Sequence, residues 1–262
     1  MCGIFGVVYS DPTKSPDKDL LEISSDLLKH RGPDSFGLHI GQGFGLAHTR
    51  LSLLDLSEKG RQPFWDPTGQ FGLTYNGEIY NFKSIRRELE ERGVFFQTNC
   101  DTEVLLYSLI HFGIPQTVKK IQGMYAFAFV DKKENLIHLV RDRFGIKPLM
   151  VYEDENMFLF SSEVKAMQPW VSLEPEPGVC ASYLAGLPGP MTGQTMFKHI
   201  RSVRPGTWIQ LRPGDKPKWQ QIDSPAEFID PLLAEKLNNM SLEQIVDHAD
   251  ELLQQSVKDM LF

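Results

Sequence analysis

An α+β sandwich, built from antiparallel strands and a smaller number of helices, is the fold class that this sequence predicts. The chain opens on an apolar run at residues 2–8, which is too short for a helix core and is typical of a buried strand. Its middle contains two amphipathic segments that end at glycines, which is typical of helices. From residue 124 onward, apolar runs alternate with polar turns, as they do in hairpins. This order of elements fits an α+β sandwich better than a doubly wound α/β sheet.

In the N-terminal half, a cap followed by proline at Ser15-Pro16 predicts a helix whose apolar stripe ends near Lys29. Asp101 is expected to cap a later helix, and Gly113 lies just beyond its predicted end. The other predicted elements of this half are strands at 36–40, 44–48 and 71–75, an extended stretch at 49–54, and helices at 82–92 and 102–112.

The C-terminal half is predicted to be mostly β. Its strands are expected at 124–130, 136–140, 149–152, 157–161 and 208–211. Residues 168–206 are rich in proline and glycine and are expected to be irregular. Ser241 and Gln244 form a capping box that opens a helix with a wide apolar stripe. We therefore divide the chain into a domain at 1–212, a linker at 213–240 and a final helix at 241–262.

Composition and charge exclude several classes of function. The 262 residues carry a net charge of −7 without a block of like charges, so neither a nucleic-acid surface nor a polybasic membrane patch is expected. The sequence has neither an apolar run of membrane-spanning length nor a secretory signal. Three widely spaced cysteines, Cys2, Cys100 and Cys180, indicate a reducing compartment, and they show no zinc-ligand spacing. We therefore expect a cytoplasmic protein without a bound metal.

Cys2 is the first candidate for chemistry. Its small side chain allows removal of Met1, which would leave a free α-amino group beside the thiol. One residue would then supply both a nucleophile and a base with an ordinary pKa of roughly 7.7–8. The alternative is an inert cysteine that packs in a strand as a small hydrophobe. Cys2 in isolation leaves both interpretations open.

Three other polar positions also have a purely structural interpretation. Asn76-Gly77 follows a strand and is typical of a hairpin turn, although residues 78–81 lead towards a helix instead of a returning strand. Arg50 follows a strand and is consistent with a surface charge or an ion-pair partner. A helix-capping role would by itself account for an aspartate at position 101.

Taken together, seven segments resemble the glutaminase domain of glutamine-hydrolysing asparagine synthetases, in that family's order. They are CGIFG (2–6), HRGPD (30–34), HTRLS (48–52), YNGEIYN (75–81), DTE (101–103), GMYAFA (123–128) and RDRFGIKPL (141–149). The resemblance implies a class II glutamine amidotransferase of the N-terminal-nucleophile hydrolase type. Such domains have two packed antiparallel sheets flanked by helices, in four αββα layers. Amidotransferases of the phosphoribosyl-pyrophosphate or fructose-6-phosphate type fit segments 48–52 and 75–81 less well.

The resemblance also implies a role for each residue of a site. Cys2 would be the nucleophile and its α-amine the base, while the Asn76 amide and the Gly77 N–H would stabilise the oxyanion. The fork of Arg50 would bind the α-carboxylate of glutamine. The other site residues would be Glu78 and Asp101, which bind the α-ammonium group, and Leu51 and Leu53, whose backbone lines the pocket.

The expected reaction is hydrolysis of the side-chain amide of L-glutamine through a thioester at Cys2, giving glutamate and ammonia. In the resembling family the ammonia passes to a second site, where ATP-activated aspartate becomes asparagine. The nucleotide loop of that site is not in this sequence, so ATP and magnesium are expected only in a missing synthetase domain or subunit. Segments 31–34 and 141–149 are expected to be scaffold. A non-catalytic relative is the alternative, and the oligomeric state, with a homodimer as one option, stays open.

Overall fold

The computed structural model describes residues 1–187 and 193–261. Its strands are β1 (Gly3–Tyr9), β2 (Ser35–Gly41), β3 (Phe44–Arg50), β4 (Phe64–Trp65), β5 (Phe71–Ile79), β6 (Gly123–Asp131), β7 (Leu136–Arg141), β8 (Met150–Glu153), β9 (Met157–Ser161), β10 (Ile200–Ser202), β11 (Thr207–Leu211) and β12 (Lys218–Gln221). Its α-helices are α1 (Lys18–Leu27), α2 (Phe82–Glu91), α3 (Asp101–Lys120), α4 (Pro177–Leu184), α5 (Pro231–Asn238) and α6 (Leu242–Asp259). Short 3₁₀ turns lie at Glu58–Gly60, Val164–Met167 and Pro225–Phe228.

Two six-stranded antiparallel sheets form the centre of the molecule. The first has the strand order β10-β8-β9-β1-β3-β2, and the second has the order β12-β11-β7-β6-β5-β4. The opening strand β1 lies inside the first sheet, where Phe5 pairs with Ala47 of β3 and with Ser161 of β9. All seven residues of β1 are buried. The prediction of a buried opening strand is therefore confirmed.

Side chains of the central strands alternate between two layers of core, since successive residues of a strand point to opposite faces. Ile4 faces the second sheet, whereas Phe5 faces α1, and both are fully buried. The space between the sheets contains Ile4, Leu46 and Phe160 from the first sheet and Ala128, Leu139 and Ile209 from the second. Helix α1 covers the outer face of the first sheet, and α2 and α3 cover that of the second. These are the four αββα layers of an α+β sandwich, as predicted.

Two helices of the N-terminal half begin or end at identifiable caps. Helix α1 begins later than predicted because Asp17, not Ser15, caps it: the Asp17 carboxylate accepts hydrogen bonds from the N–H groups of Asp19 and Leu20. Helix α2 matches the prediction, and Gly93 follows its end with a φ of 87° that favours glycine.

Helix α3 differs from the prediction at both ends. It begins at Asp101 itself, so the Asp101 side chain does not cap it and is free to bind elsewhere. Gly113 interrupts the helix with a φ of 72°, but helical geometry resumes and continues to Lys120. The predicted end at Gly113 is therefore a kink.

The C-terminal half contains more regular structure than predicted. Residues 168–206 include α4 and β10, and the part of this segment at 188–192 lies outside the described residues. The expected linker at 213–240 contains β12, which pairs with β11 so that Gln220 lies opposite Trp208. The turn rich in proline and glycine after residue 212 thus joins two strands of one sheet. An ion pair of 2.9 Å between Arg143 and Asp223 ties the chain to the sandwich beyond β12.

Helix α6 leaves its apolar stripe uncovered within the described residues. The predicted capping box is present, with both hydrogen bonds between Ser241 and Gln244. Leu252, Leu253 and Val257, which belong to this stripe, are exposed. In the ranges that the structure describes, none of the helices has the length and hydropathy needed to cross a membrane.

Candidate active site

Cys2 lies directly before β1, beside the end of β3. The Leu51 N–H donates to its Sγ at 3.5 Å, and the thiol lies 3.8 Å from the Leu51 carbonyl oxygen. The Cys2 carbonyl accepts a hydrogen bond of 3.0 Å from Arg31 Nε, and Arg31 is itself held by Glu163 at 2.8 Å. Burial raises the pKa of the Cys2 thiol, although the Leu51 N–H acts against this. Since the thiol is then mostly protonated near neutral pH, attack requires a base beside it.

A cavity of about 230 Å³ opens in front of this thiol. All eight residues predicted for the site line it: Cys2, Arg50, Leu51, Leu53, Asn76, Gly77, Glu78 and Asp101. They come from the start of β1, the end of β3 and the loop after it, the end of β5, and the start of α3. The structure therefore brings the whole predicted set together, while the role of each residue stays a prediction.

Backbone carbonyl groups fix the position of Arg50. Its guanidinium is nearly buried and donates to the carbonyl of Ser57 at 2.8 Å and to the carbonyl of Asp55. The Asp55 carboxylate shapes this loop by accepting from the Ser57 N–H at 2.8 Å. Gly60 lies against the guanidinium, so close that a Cβ there would come within 2.3 Å of Nη2. Arg50 is thus a positioned cation and not a surface charge.

Asn76 and Gly77 lie within β5 and not in a hairpin turn. They pair with Ala126 and Tyr125 of β6, and the strand continues to Ile79. The prediction that this strand ends at Tyr75 is wrong, because pairing with β6 keeps the backbone extended. Asn76 is 1% exposed, and its Nδ2 has no hydrogen-bond partner among the described residues. A buried amide donor without a partner destabilises the folded protein, because it has lost its hydrogen bonds to water. A bound oxygen anion would accept a hydrogen bond from it and remove this free-energy cost.

Asp101 is buried and faces β5. Its Oδ2 accepts from the Tyr75 hydroxyl at 2.8 Å and from the Ile79 N–H at 3.1 Å. Burial raises the pKa of this carboxyl to about 6, although these hydrogen bonds act against it. Burial also raises the pKa of the neighbouring Glu78, with Lys147 acting against it. The cavity therefore has an acidic end that suits an ammonium group.

Other residues line the cavity without having been predicted as part of the site. They are Met1, Leu54, Asp55, Gln62, Tyr75, Cys100, Thr102, Met124 and Lys147. Tyr75 immediately precedes Asn76, and its hydroxyl holds Asp101, a contact for which the sequence contains no signal. Lys147 belongs to segment 141–149, which we expected to be scaffold. Among the described residues, no group of three or more His, Cys, Asp or Glu side chains is arranged to hold a metal ion.

Comparisons with known proteins agree with this geometry. The family described as "Glutamine amidotransferase domain" matches residues 1–220. Asparagine synthetase [glutamine-hydrolyzing] 1 of Bacillus subtilis (strain 168) is 34% identical over 218 residues, which are 81% of this chain and 34% of that protein. Asparagine synthetase B [glutamine-hydrolyzing] of Escherichia coli (strain K12) is 39% identical over 172 residues, 64% of this chain and 30% of that protein.

Two further similarities extend the range of relatives. Amidase chry2 of Gibberella zeae is 31% identical over 250 residues, 90% of this chain and 36% of that protein. The chain thus spans about a third of the length of these curated relatives. The structure of glutamine phosphoribosylpyrophosphate amidotransferase from B. subtilis, complexed with ADP and GMP, aligns with a TM-score of 0.62 at 20% identity, covering 85% of this chain and 49% of that one. At this identity the likeness concerns the fold alone.

Proposed function

The chain belongs to the glutamine amidotransferase domain family, and from this premise we propose that it hydrolyses the side-chain amide of L-glutamine through a thioester at Cys2. One observation carries the proposal. The cavity beside the Cys2 thiol is lined by a positioned cation, Arg50, by the unpartnered amide of Asn76 and by the buried carboxylate of Asp101. A free glutamine requires these partners for its carboxylate, its reacting carbonyl and its ammonium group.

The reaction begins with removal of Met1, which lines the same cavity. The freed α-amine of Cys2 takes the thiol proton, and Sγ attacks the side-chain carbonyl carbon. The resulting oxyanion accepts hydrogen bonds from Asn76 Nδ2 and the Gly77 N–H. Collapse breaks the carbon–nitrogen bond, and the α-ammonium returns its proton to the leaving ammonia. Water then adds to the thioester, with the amine as base, and glutamate and free Cys2 result.

Recognition of the amino-acid end determines which amide reacts. We assign the α-carboxylate to Arg50, whose planar fork can donate two parallel hydrogen bonds. We assign the α-ammonium group to Asp101 and Glu78. Leu51 and Leu53 border the cavity on the side of Cys2, where their backbone confines the substrate.

The fate of the ammonia is a second proposal. Two of the relatives described above are glutamine-hydrolysing asparagine synthetases, so we propose transfer of ammonia to ATP-activated aspartate in a synthetase domain or subunit that α6 adjoins. We propose that ATP and magnesium bind in that synthetase domain or subunit. The relative named as an amidase leaves another acceptor as the alternative. We also propose a cytoplasmic location, because the three cysteines are free; the homodimer remains an expectation that light scattering can examine.

Substitution of Cys2 tests the hydrolase proposal. Intact mass first establishes that Met1 is absent, and release of glutamate from glutamine is then measured. We expect Cys2→Ala to lose all turnover, and retention of Met1 to have nearly the same effect because it blocks the amine. Cys180→Ala is the matched control, since Cys180 lies in α4 away from the cavity. Measurable turnover by the Cys2→Ala protein contradicts the proposal, and so does an inactive, fully processed parent protein.

A further inference from the structure

The turn at 141–147 is built around one buried carboxylate. Asp142 is 1% exposed and follows directly after β7. Its two oxygens accept hydrogen bonds of 3.0–3.3 Å from four backbone N–H groups, those of Tyr125, Phe144, Ile146 and Lys147. Gly145 supplies the positive φ of 65° that the turn requires. This network makes the turn rigid and fixes where the backbone of Lys147 lies.

The side chain of Lys147 enters the cavity of Cys2. Lys147 is 6% exposed and lines the cavity together with Cys2 and Glu78. Its ammonium forms neither a hydrogen bond nor an ion pair with any residue in the described ranges. A largely buried lysine whose unpaired ammonium is accessible from a cavity is more typical of a functional site than of scaffold.

We propose that Lys147 is a positioning residue of this site, whose ammonium keeps a positive charge in the cavity of Cys2 so that both the thiol and the α-amine lose their protons more readily than they would without it. The consequence for turnover rests on the proposed glutaminase function, but the effect on Cys2 does not. A nearby positive charge favours the anionic form of a thiol and the neutral form of an amine. Both effects increase the fraction of Cys2 that is ready to react near neutral pH.

Several other charges act on the same groups. Asp101 raises the pKa of the Cys2 thiol and Asp34 raises that of the Met1 amino group, so these two carboxylates oppose Lys147. The charged groups that act on Cys2, on the Met1 amino group or on Lys147 are Arg31, Asp34, Arg50, Glu78, Asp101 and Asp142. Before glutamine binds, Glu78 supports the positive charge of Lys147, whereas burial lowers the pKa of Lys147. Removing Lys147 leaves Asp34 and Asp101 less opposed, so the thiol and the amine must both become harder to deprotonate.

Alkylation of Cys2 measures this effect without requiring turnover. The protein without Met1 is treated with iodoacetamide over a range of pH. Mass spectrometry of the peptide that contains Cys2 then gives the rate of alkylation of its thiol at each pH. For Lys147→Met we expect the midpoint of the rate profile to rise by about half a unit to one unit, the size expected for one charge across a partly solvated cavity. Lys147→Arg retains the charge and should stay close to the parent midpoint. Lys133→Met, which removes one exposed charge from a distant turn, is the matched control.

Each outcome bears on the inference. A Lys147→Met midpoint equal to that of the parent overturns it, as does an equal shift in Lys133→Met. If Lys147→Met does not fold, Lys147→Gln replaces it, because it keeps a polar end on the side chain and removes the charge; an unchanged midpoint in that variant then overturns the inference. In an active enzyme the acid limb of the kcat/KM profile must move in the same direction. A shifted alkylation profile in a protein without glutaminase activity refutes the proposed function and leaves the inference intact.

Discussion

The polar side chains around Cys2 differ in how the protein satisfies them. The guanidinium of Arg50 is held by two backbone carbonyls, whereas Nδ2 of Asn76 has no partner in the part of the chain that is described. An already positioned cation suits a substrate group whose charge is constant throughout the reaction. An unpartnered donor suits an oxygen that becomes charged only in the transition state. The two residues should therefore affect different kinetic constants.

Kinetics of Arg50→Lys and Asn76→Ala test this distinction. Arg50→Lys should mainly raise KM for glutamine, because a point ammonium cannot reproduce the fork. Asn76→Ala should mainly lower kcat, by roughly 10²–10³-fold, the usual effect of losing one oxyanion donor. Steady-state glutaminase assays of both variants separate the constants. An exchange of the two patterns would show that the roles are assigned wrongly even if the site is right.

Asp101 should lower the stability of the folded protein while serving the site. The pKa of its carboxyl is about 6 in the folded chain against an ordinary value of 3.8, so the folded state binds the proton more tightly. The contribution of this carboxyl to the free energy of unfolding therefore falls as pH rises from about 4 to above 6, and the complete fall is roughly 3 kcal/mol. Asp101→Asn should abolish glutamine binding yet raise the free energy of unfolding at pH 7.5, with a smaller gain at pH 5. Urea unfolding at both pH values measures this, and a loss of stability at pH 7.5 contradicts it.

At the scale of elements, the site depends on where strands and helices end. β5 continues beyond Tyr75 because β6 pairs with it as far as Ile79, and this extension carries Asn76, Gly77 and Glu78 into the cavity. Gly77 has no room for a side chain, since a Cβ there would meet the carbonyl oxygen of Met124 at 2.5 Å. The strand thus forms one wall of the site through close backbone packing.

The 3₁₀ turn Glu58–Gly60 forms a second support, and it can be perturbed selectively. In Gly60→Ala the new methyl group would lie 2.3 Å from Arg50 Nη2 and must displace the guanidinium. We expect KM for glutamine to rise several-fold, with a smaller change in kcat. Gly178→Ala is the matched control, because the nearest atom to its Cβ is 3.9 Å away. Steady-state assays of both variants provide the test, and an unchanged KM in Gly60→Ala contradicts the role of this turn.

At the scale of the whole molecule, the sandwich and the C-terminal helices contribute unequally to the site. Each cavity residue named above lies at or before position 147, and the second sheet ends with β12. The segment that follows β12 still contacts the sandwich. Its Asp223 forms an ion pair with Arg143, and the Arg143 guanidinium lies over the ring of Phe228 at 3.7 Å. Helices α5 and α6 contain no buried residue.

Shortening the chain tests this division. A protein that ends at residue 230 keeps the contacts of Arg143 and loses only α5 and α6. We expect its kcat for glutamine hydrolysis to stay within about twofold, and its Tm to change little, since few contacts are lost. Thermal unfolding and glutamate release compare the two lengths. A large fall in Tm, or loss of turnover, would show that the final helices support the sandwich.

The sequence by itself determined the α+β class, because the alternation of apolar and polar residues decides which side chains are buried. The resemblance of seven ordered segments to a known family predicted the two packed sheets and the chemistry proposed for Cys2. Local patterns misjudged the end of β5 and the capping role of Asp101 at the start of α3. In both cases a partner distant in sequence decided the outcome, namely β6 and Tyr75.

Only the tertiary structure decided which side chains share the cavity. Arg50 and Asn76 come from different sheets, so their proximity to Cys2 depends on how the sheets pack, and no spacing in the sequence encodes it. The same holds for Lys147. Its motif predicts a turn, but whether its side chain lies in solvent or lines the cavity of Cys2 depends on where the Asp142 network holds its backbone. Local sequence selects the residue types, and the packing of the sheets brings them within reach of one substrate.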